Sequence, residues 1–207
     1  MTQIISFRPT TSPITEAITK FGGQPTWISE PQWPVSRETG NQMRFIAQVR
    51  LDAKIFGLEA DKMAYLFMTD EDEDFVDSTF EYDGGENALV ILPDGVNASA
   101  LPLSTGPTLQ AFVKVDGQVM LQPTQVEFLA ELSDQDDLED GQKFKNKIGG
   151  QPHWLQNEEW PSNDKWLLVL QLDSVSVPFD INFGDAGVGY AFLSADGKRG
   201  RFGWQCA

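Results

Sequence analysis

The alternation of apolar and polar residues along the chain predicts a protein built mainly of β-strands. Between Met43 and Leu51, apolar residues occupy alternate positions, and polar residues such as Gln48 lie between them. Successive side chains of a strand point to opposite faces, so this pattern is typical of a strand with one buried face. Similar runs predict further strands at 63–68, 88–92, 126–132, 166–172, 188–193 and 201–206.

One segment has helical spacing instead. Ser12-Pro13 is a typical helix start, and Gly22-Gly23 is a typical helix stop. The apolar residues between them recur at the spacing that places them on one face of a helix. The sequence therefore predicts a short helix over 13–20. Its apolar face consists of Ile14, Ala17, Ile18 and Phe21.

A motif of glycine, glutamine, proline and tryptophan occurs twice. It reads Phe21-Gly22-Gly23-Gln24-Pro25-Thr26-Trp27 near the start and Ile148-Gly149-Gly150-Gln151-Pro152-His153-Trp154 later, and five residues then separate each copy from a Trp-Pro pair. A match of this length in order and spacing indicates an internal duplication. The strands that match after each motif extend the two units to about 21–92 and 148–206.

The predicted architecture is a single, mainly β domain with a minor helical content that spans 1–207. The two units are expected to pack about a pseudo-twofold axis. The connector at 93–147 has strand patterning of its own, because runs at 108–115 and 118–122 flank Asp116-Gly117, a two-residue hairpin signal. We therefore expect the connector to be part of the globule rather than a flexible linker.

The charge of the chain restricts the classes of partner. Acidic residues number 31 and basic residues 15, which gives a formal net charge of -16. A chain this acidic repels phosphate backbones, which argues against nucleic-acid binding, and it attracts basic proteins. Simple solubility is the alternative explanation of the charge.

Cysteine usage and hydropathy favour a cytoplasmic location. Cys206 is the single cysteine, so no disulfide can form within the chain. No run approaches the ~18 apolar residues of a membrane-spanning helix, and the first residues lack the pattern of a secretory signal. We expect a soluble cytoplasmic protein without a membrane partner, and the sequence leaves the oligomeric state open.

The combined motifs resemble the YwqG-like family, bacterial proteins that carry a domain of unknown function. The resemblance depends on both Gly-Gly-Gln-Pro motifs, on 45–49 and 167–173, and on the terminal Gln205-Cys206. It also includes Phe183-Gly184-Asp185-Ala186-Gly187, where the family tends to have tryptophan in place of Phe183. The resemblance covers most of the chain and implies a mainly β fold of repeated units. It implies no established activity, so no catalytic residue is carried over.

The tryptophans and glutamines of the repeated motif are candidate ligand-binding residues. Trp33 and Trp160 stand in the Trp-Pro loops, where two aromatic walls could hold a flat ligand such as a sugar or a base. The alternative is that both indoles fill the core where the loops meet the sheet. Gln24 and Gln151 likewise either contact a ligand or hold the loops through their amides.

Asp185 is a further candidate because it stands in a Gly-Asp-Ala-Gly turn just before a predicted strand. An aspartate at such a position commonly caps the turn through its own backbone, and the alternative is a site residue. Its counterpart in the first unit is Asp61.

Two acidic runs are the candidate contacts for a basic partner. The first contains Asp70, Asp72 and Asp74, and the second contains Asp136 and Asp137. Such runs can also bind calcium or remain solvated. The calcium-binding pattern of an EF-hand fails here, because Phe75 stands where that loop requires glycine. No metal site is therefore predicted.

Enzyme chemistry finds little support in the sequence. His153 is the single histidine, Thr26 stands at its repeated position, and Cys206 is next to last. Ser-His-Asp and Cys-His mechanisms would both need His153. No cofactor is expected, and we favour a protein that is not an enzyme.

Two functions remain open. The preferred one is a non-enzymatic interaction protein, the acidic partner of a basic protein, for instance an immunity-type inhibitor of a toxin. The alternative is a small-molecule binding module with a Trp-lined cleft between the two units.

Overall fold

The fold was analysed in a computed structural model of the chain. The structure describes residues 1–70, 76–95, 97, 99–112, 114–115, 118–119, 123–135 and 145–207.

The described residues form sixteen strands and one short helix. The first strands are β1 (Thr2–Pro9), β2 (Lys20–Gly22), β3 (Trp33–Pro34) and β4 (Arg44–Leu51), and α1 (Ala53–Phe56) follows. The middle strands are β5 (Lys62–Met68), β6 (Asn87–Leu92), β7 (Ala100–Leu101), β8 (Gln110–Ala111), β9 (Lys114–Val115), β10 (Gln118–Val119), β11 (Thr124–Gln125) and β12 (Glu127–Gln135). The last strands are β13 (Lys147–Gly149), β14 (Trp166–Asp173), β15 (Val188–Ser194) and β16 (Gly200–Gln205).

Ten of these strands form one antiparallel sheet. Its order is β16-β15-β14-β13-β1-β12-β2-β4-β5-β6. The long pair β1 and β12 stands at the centre, and four strands lie on each side of it. Three two-stranded pairs, β9 with β10, β8 with β11 and β3 with β7, complete the structure. The prediction of a mainly β fold is confirmed, and the duplication of the two units stays a prediction.

The two ends of the sheet approach each other and nearly close it into a barrel. A side chain at Gly200 in β16 would overlap the carbonyl oxygen of Leu89 in β6. The backbone N–H of Trp204 also donates to the carbonyl oxygen of Phe80 at 3.3 Å. Among the described strands, however, β6 and β16 form no hydrogen-bonded ladder. The ends of the sheet therefore meet along a seam without joining.

Strands β5 and β15 are buried on both faces. In β5, Leu66 faces the main core while Tyr65 and Phe67 join an outer aromatic cluster with Trp33. In β15, alternate residues divide in the same way between the main core and an outer cluster. That cluster contains Tyr190, Phe192, Trp154 and Trp160. The motif loops cover the outer face of the sheet in both halves.

The helix predicted over 13–20 is wrong. Most of the segment before β2 is exposed, so its apolar stripe has no surface against which to pack. Its backbone is satisfied by side chains, since Ile14 N–H donates to Glu127 and Ile14 C=O accepts from Lys20. Amphipathic helices gain most of their stability from packing, and this segment lacks it.

The strands that flank Asp116-Gly117 pair as the predicted hairpin requires, with Val115 of β9 opposite Gln118 of β10, while the two turn residues themselves lie outside the described residues. The sequence analysis missed α1. Asp52 caps its N-terminus by accepting from the N–H of Lys54 at 2.8 Å, and Gly57 ends it.

We predict that Gly22→Ala destabilises the protein much more than Gly40→Ala. Both glycines have positive φ, at 69° and 74°, which costs a non-glycine residue about 1 kcal/mol. A methyl group at Gly22 would also overlap the carbonyl oxygen of Val126, whereas nothing lies within 4 Å of one at Gly40. We expect the free energy of unfolding, measured with urea, to fall by about 3 kcal/mol or more in Gly22→Ala and by about 1 kcal/mol in Gly40→Ala. Equal losses would contradict the close approach of Val126.

Candidate functional site

The two Gly-Gly-Gln-Pro loops bind the sheet through equivalent glutamines. Gln48 in β4 accepts the backbone N–H of Thr26 at 2.8 Å. Gln171 in β14 accepts the backbone N–H of His153 at 2.9 Å. The amide nitrogen of Gln48 also donates to the carbonyl of Ile18, and the amide nitrogen of Gln171 donates to the carbonyl of Lys145. Both glutamines therefore hold a loop against its own strand.

A pair of buried tyrosines completes this arrangement. Tyr65 OH donates to the carbonyl of Thr26 at 2.8 Å and accepts from the N–H of Ile28 at 3.1 Å. Tyr190 OH donates to the carbonyl of His153 at 2.8 Å and accepts from the N–H of Leu155 at 2.9 Å. Each phenol thus bridges two backbone groups of its loop.

Two buried lysines stand directly before the repeated motif. The Nζ of Lys20 donates to the carbonyl of Gln24 at 2.6 Å, and the Nζ of Lys147 donates to the carbonyl of Gln151. Lys20 also forms an ion pair with Glu127 at 2.5 Å, with side chains only 1% and 12% exposed. The sequence analysis missed both lysines, although their equal position before each motif was a signal that could have found them.

The structure places Trp33 in the core. It is 0% exposed, and its Nε1 donates to the carbonyl of Met43 at 2.8 Å. No surface of this indole is open to a ligand, so its placement matches the alternative in which it fills the core. Trp160 is half-buried, packs on Trp154 and Phe192, and donates from Nε1 to Glu158.

The predicted glutamines and Asp185 are not brought together. Gln24 both donates to and accepts from the backbone of Gly106, at 3.0 Å in each direction, which fits the loop-holding alternative. The side chain of Gln151 is exposed. Asp185 is exposed as well, and in its turn Asn182 accepts the N–H of Gly184.

Asp61, which the sequence analysis predicts to be the counterpart of Asp185, has a defined structural role. It accepts the N–H of Ala53 at 2.9 Å and pairs with Arg50 at 2.6 Å. The hydrogen bond from Arg50 lowers the pKa of the Asp61 carboxyl below its usual value. Asp61 therefore supports the start of α1.

The acidic runs lie largely outside the described residues. Asp70 is described and pairs with Arg44. Asp72, Asp74, Asp136 and Asp137 lie outside the described residues. In the part of the chain that the structure describes, no group of three or more His, Cys, Asp or Glu side chains could hold a metal ion.

The first motif loop borders an open cleft of about 900 Å³. Its walls are the segment 9–15, the loop 23–26 and the stretch 124–128, and Pro178 also contributes. Apolar surface from Ile14, Pro25 and Phe128 adjoins threonine hydroxyls. The Lys20–Glu127 ion pair lines the same cleft. Such a mixture of apolar walls and a few polar groups is typical of small-molecule sites.

Comparison with known families matches residues 19–203 to the model of a domain of unknown function, DUF1963. The chain belongs to this family. A search of curated proteins finds no match to the chain. Within the described residues of this DUF1963 protein, no helix has the length and apolar character needed to cross a membrane.

We predict that no tyrosine of this DUF1963 protein ionises near pH 10 while it is folded. Burial raises the pKa of Tyr65 to about 12, and it also raises the pKa of Tyr82 and of Tyr190. The folded protein keeps these protons at a pH where the unfolded chain releases them. The free energy of unfolding is therefore unaffected below about pH 10 and falls as the pH rises from about 10 to about 12.

Ultraviolet absorbance of tyrosinate, recorded together with circular dichroism, checks this expectation. The tyrosinate signal should appear only as the fold is lost. A tyrosinate signal that reaches about half of its full value at pH 10 with an intact fold would show that the three phenols are not held as described.

Proposed function

We propose that this DUF1963 protein is a non-enzymatic interaction protein that binds a basic protein, as an immunity-type inhibitor of a toxin would. The net charge of -16 carries this proposal. Exposed carboxylates are spread over the described surface and supply an acidic field beyond the two acidic runs. They include Glu16, Glu30, Glu38, Glu59, Asp77, Glu81, Glu131, Glu158, Glu159 and Asp185.

A charge of this size acts mainly on the rate of association. The summed field of the carboxylates attracts a basic partner and orients it before contact, which raises the association rate constant above that of a neutral pair. Salt weakens this effect, because the Debye length falls from about 10 Å at 0.1 M to about 3 Å at 1 M. The proposal therefore implies fast, salt-sensitive binding.

We predict that tagged protein captures a basic protein from an extract of its source organism in near-stoichiometric yield, and that a high-salt wash removes it. With the purified pair, raising the salt from about 0.05 M to about 0.5 M should slow association at least about tenfold. A salt-independent association rate, or the absence of a basic partner, would refute the proposal.

Matched variants separate the acidic runs from the overall charge. One quadruple variant combines Asp72→Asn, Asp74→Asn, Asp136→Asn and Asp137→Asn. Its control removes four exposed carboxylates elsewhere, by Glu16→Gln, Glu30→Gln, Glu38→Gln and Glu59→Gln. If the acidic runs contact the basic partner, the first variant should dissociate from that partner faster than the control does, although the two variants carry the same net charge.

Small-molecule binding is the second candidate function, and the cleft of about 900 Å³ at the first motif loop favours it. Gln24 lines this cleft while its amide bonds the backbone of Gly106, whereas Trp33 and Trp160 do not line it. The proposed site is therefore the cleft beside the loop 23–26 rather than a pair of tryptophan walls. The volume is within the usual range for ligand pockets.

We predict that a metabolite that binds in this cleft raises the melting temperature of the native protein but not that of Thr124→Trp. Thr124 is exposed at the cleft wall, so the indole fills the space without disturbing the core. Thr105→Trp is the matched control, because Thr105 is exposed outside the cleft. A screen by thermal shift that finds no such metabolite, or one that is insensitive to both variants, would rule out ligand binding here.

The finer features of the family assignment are also proposals. We infer that the protein is of the YwqG-like type, is located in the bacterial cytoplasm, and arose by duplication of the units at 21–92 and 148–206. The equivalent bonds of Gln48 and Gln171 support the duplication. Homologous chains whose two halves fail to align would contradict it.

A further inference from the structure

A crevice of about 300 Å³ follows the seam where the two ends of the sheet meet. One wall comes from β6 and the turn before it, and the other comes from 198–202 at the start of β16. Residues near Pro34 and the stretch after β6 add to the first wall. The crevice therefore lies between the two units and is separate from the cleft at the first motif loop.

The charge of this crevice is opposite to that of the whole protein. Four cationic side chains line it, against one carboxylate, that of Asp83. The whole chain has 31 acidic and only 15 basic residues, so this local excess of cations is unusual for the molecule. The four cationic residues are Arg37, Lys198, Arg199 and Arg201.

Two of the arginines lie against the same turn, at 83–85. The Nε of Arg201 pairs with Asp83 at 2.9 Å. The side chain of Arg37 lies so close to Gly85 that a Cβ at this glycine would be 2.5 Å from the Arg37 Nε. Within the described residues, no carboxylate lies within ion-pair distance of Arg37. The turn thus holds both guanidinium groups at the crevice while neutralising only one of them.

The remaining cations come from the turn before β16. Arg199 lies over the ring of Trp166, at 5.5 Å from its centroid, and is 3.5 Å from the exposed Asp164. Lys198 is exposed next to it. Its charge helps to lower the pKa of Asp94, whose main partner is Lys62. Two carboxylates therefore lie near Lys198: that of Asp94, which is paired with Lys62, and that of Asp196, which accepts the backbone N–H of Lys198 at 3.2 Å.

The ion pairs at this crevice do not prevent the binding of an added anion. Asp83 is 72% exposed, and exposed pairs contribute only about 0–1 kcal/mol because water and salt screen them. Guanidinium groups bind phosphate and carboxylate oxygens through two parallel hydrogen bonds, which are stronger than a single exposed pair. The neutral polar side chains of Asn97 and Ser99 line the same space.

We propose that the seam crevice binds a small anionic metabolite that carries a phosphate group or several carboxylate groups. Its volume of about 300 Å³ suits a compact ligand rather than a polymer. The net charge of -16 does not prevent binding, since carboxylates beyond about 8 Å are largely screened at physiological ionic strength. The site is independent of a basic protein partner and of the cleft at the first motif loop.

The test is isothermal titration of the full chain with inorganic phosphate, pyrophosphate and citrate, with glycerol as an uncharged probe. At least one anion should bind with a dissociation constant below about 1 mM, and glycerol should not bind. Arg37→Gln and Lys198→Gln should each weaken that binding about tenfold, which is the effect of losing one charge-assisted hydrogen bond. Both residues are exposed, so the fold should be unaffected.

Arg8→Gln is the matched control. It removes the same charge from an exposed arginine that pairs with Glu131 on the central strands and does not line the crevice. Binding to this variant should stay within about twofold of the native value. The proposal is overturned if none of the three anions binds, or if Arg8→Gln weakens binding as much as the crevice variants do, because the effect would then be one of overall charge.

Discussion

The two Gly-Gly-Gln-Pro loops lie beside the sheet, so their backbone groups need hydrogen-bond partners outside a ladder. A buried N–H or C=O without a partner costs about 1–3 kcal/mol. Gln48 and Tyr65 supply partners in one half, and Gln171 and Tyr190 supply them in the other. Within each half, the glutamine and the tyrosine face each other across adjacent strands. A slip of one residue would turn one of them away, so loop position and sheet register depend on each other.

Local signals in the sequence predicted the strands well. Period-two patterning, together with β-branched and aromatic residues, identified β4, β5, β6, β14, β15 and β16, because these strands are half or wholly buried. It also identified β12, although the strand ends at Gln135 rather than at 132. Gln48 and Gln171 each stand in the long strand that follows a motif, at 24 residues after Gln24 and 20 residues after Gln151. The structure shows that both amides hold a motif loop.

The features that sequence reasoning missed depend on contacts between distant residues. The segment 13–20 has a helical pattern, yet Glu127, more than a hundred residues later, bonds its backbone. Sequence alone does not predict the buried Lys20, because a lone lysine is usually exposed. The fold surrounds its Nζ with three oxygen acceptors. The seam crevice combines Arg37 with Arg201, which only the near closure of the sheet places together.

Net charge alone is therefore a poor guide to the chemistry of each surface of this protein. The value of -16 describes the field felt by a large partner at a distance, where all carboxylates act together. A small ligand inside a crevice responds mainly to groups within a Debye length, and at the seam these include Arg37, Lys198 and Arg201. Because screening separates the two length scales, one acidic domain can attract a basic protein over its surface and hold an anion at the seam.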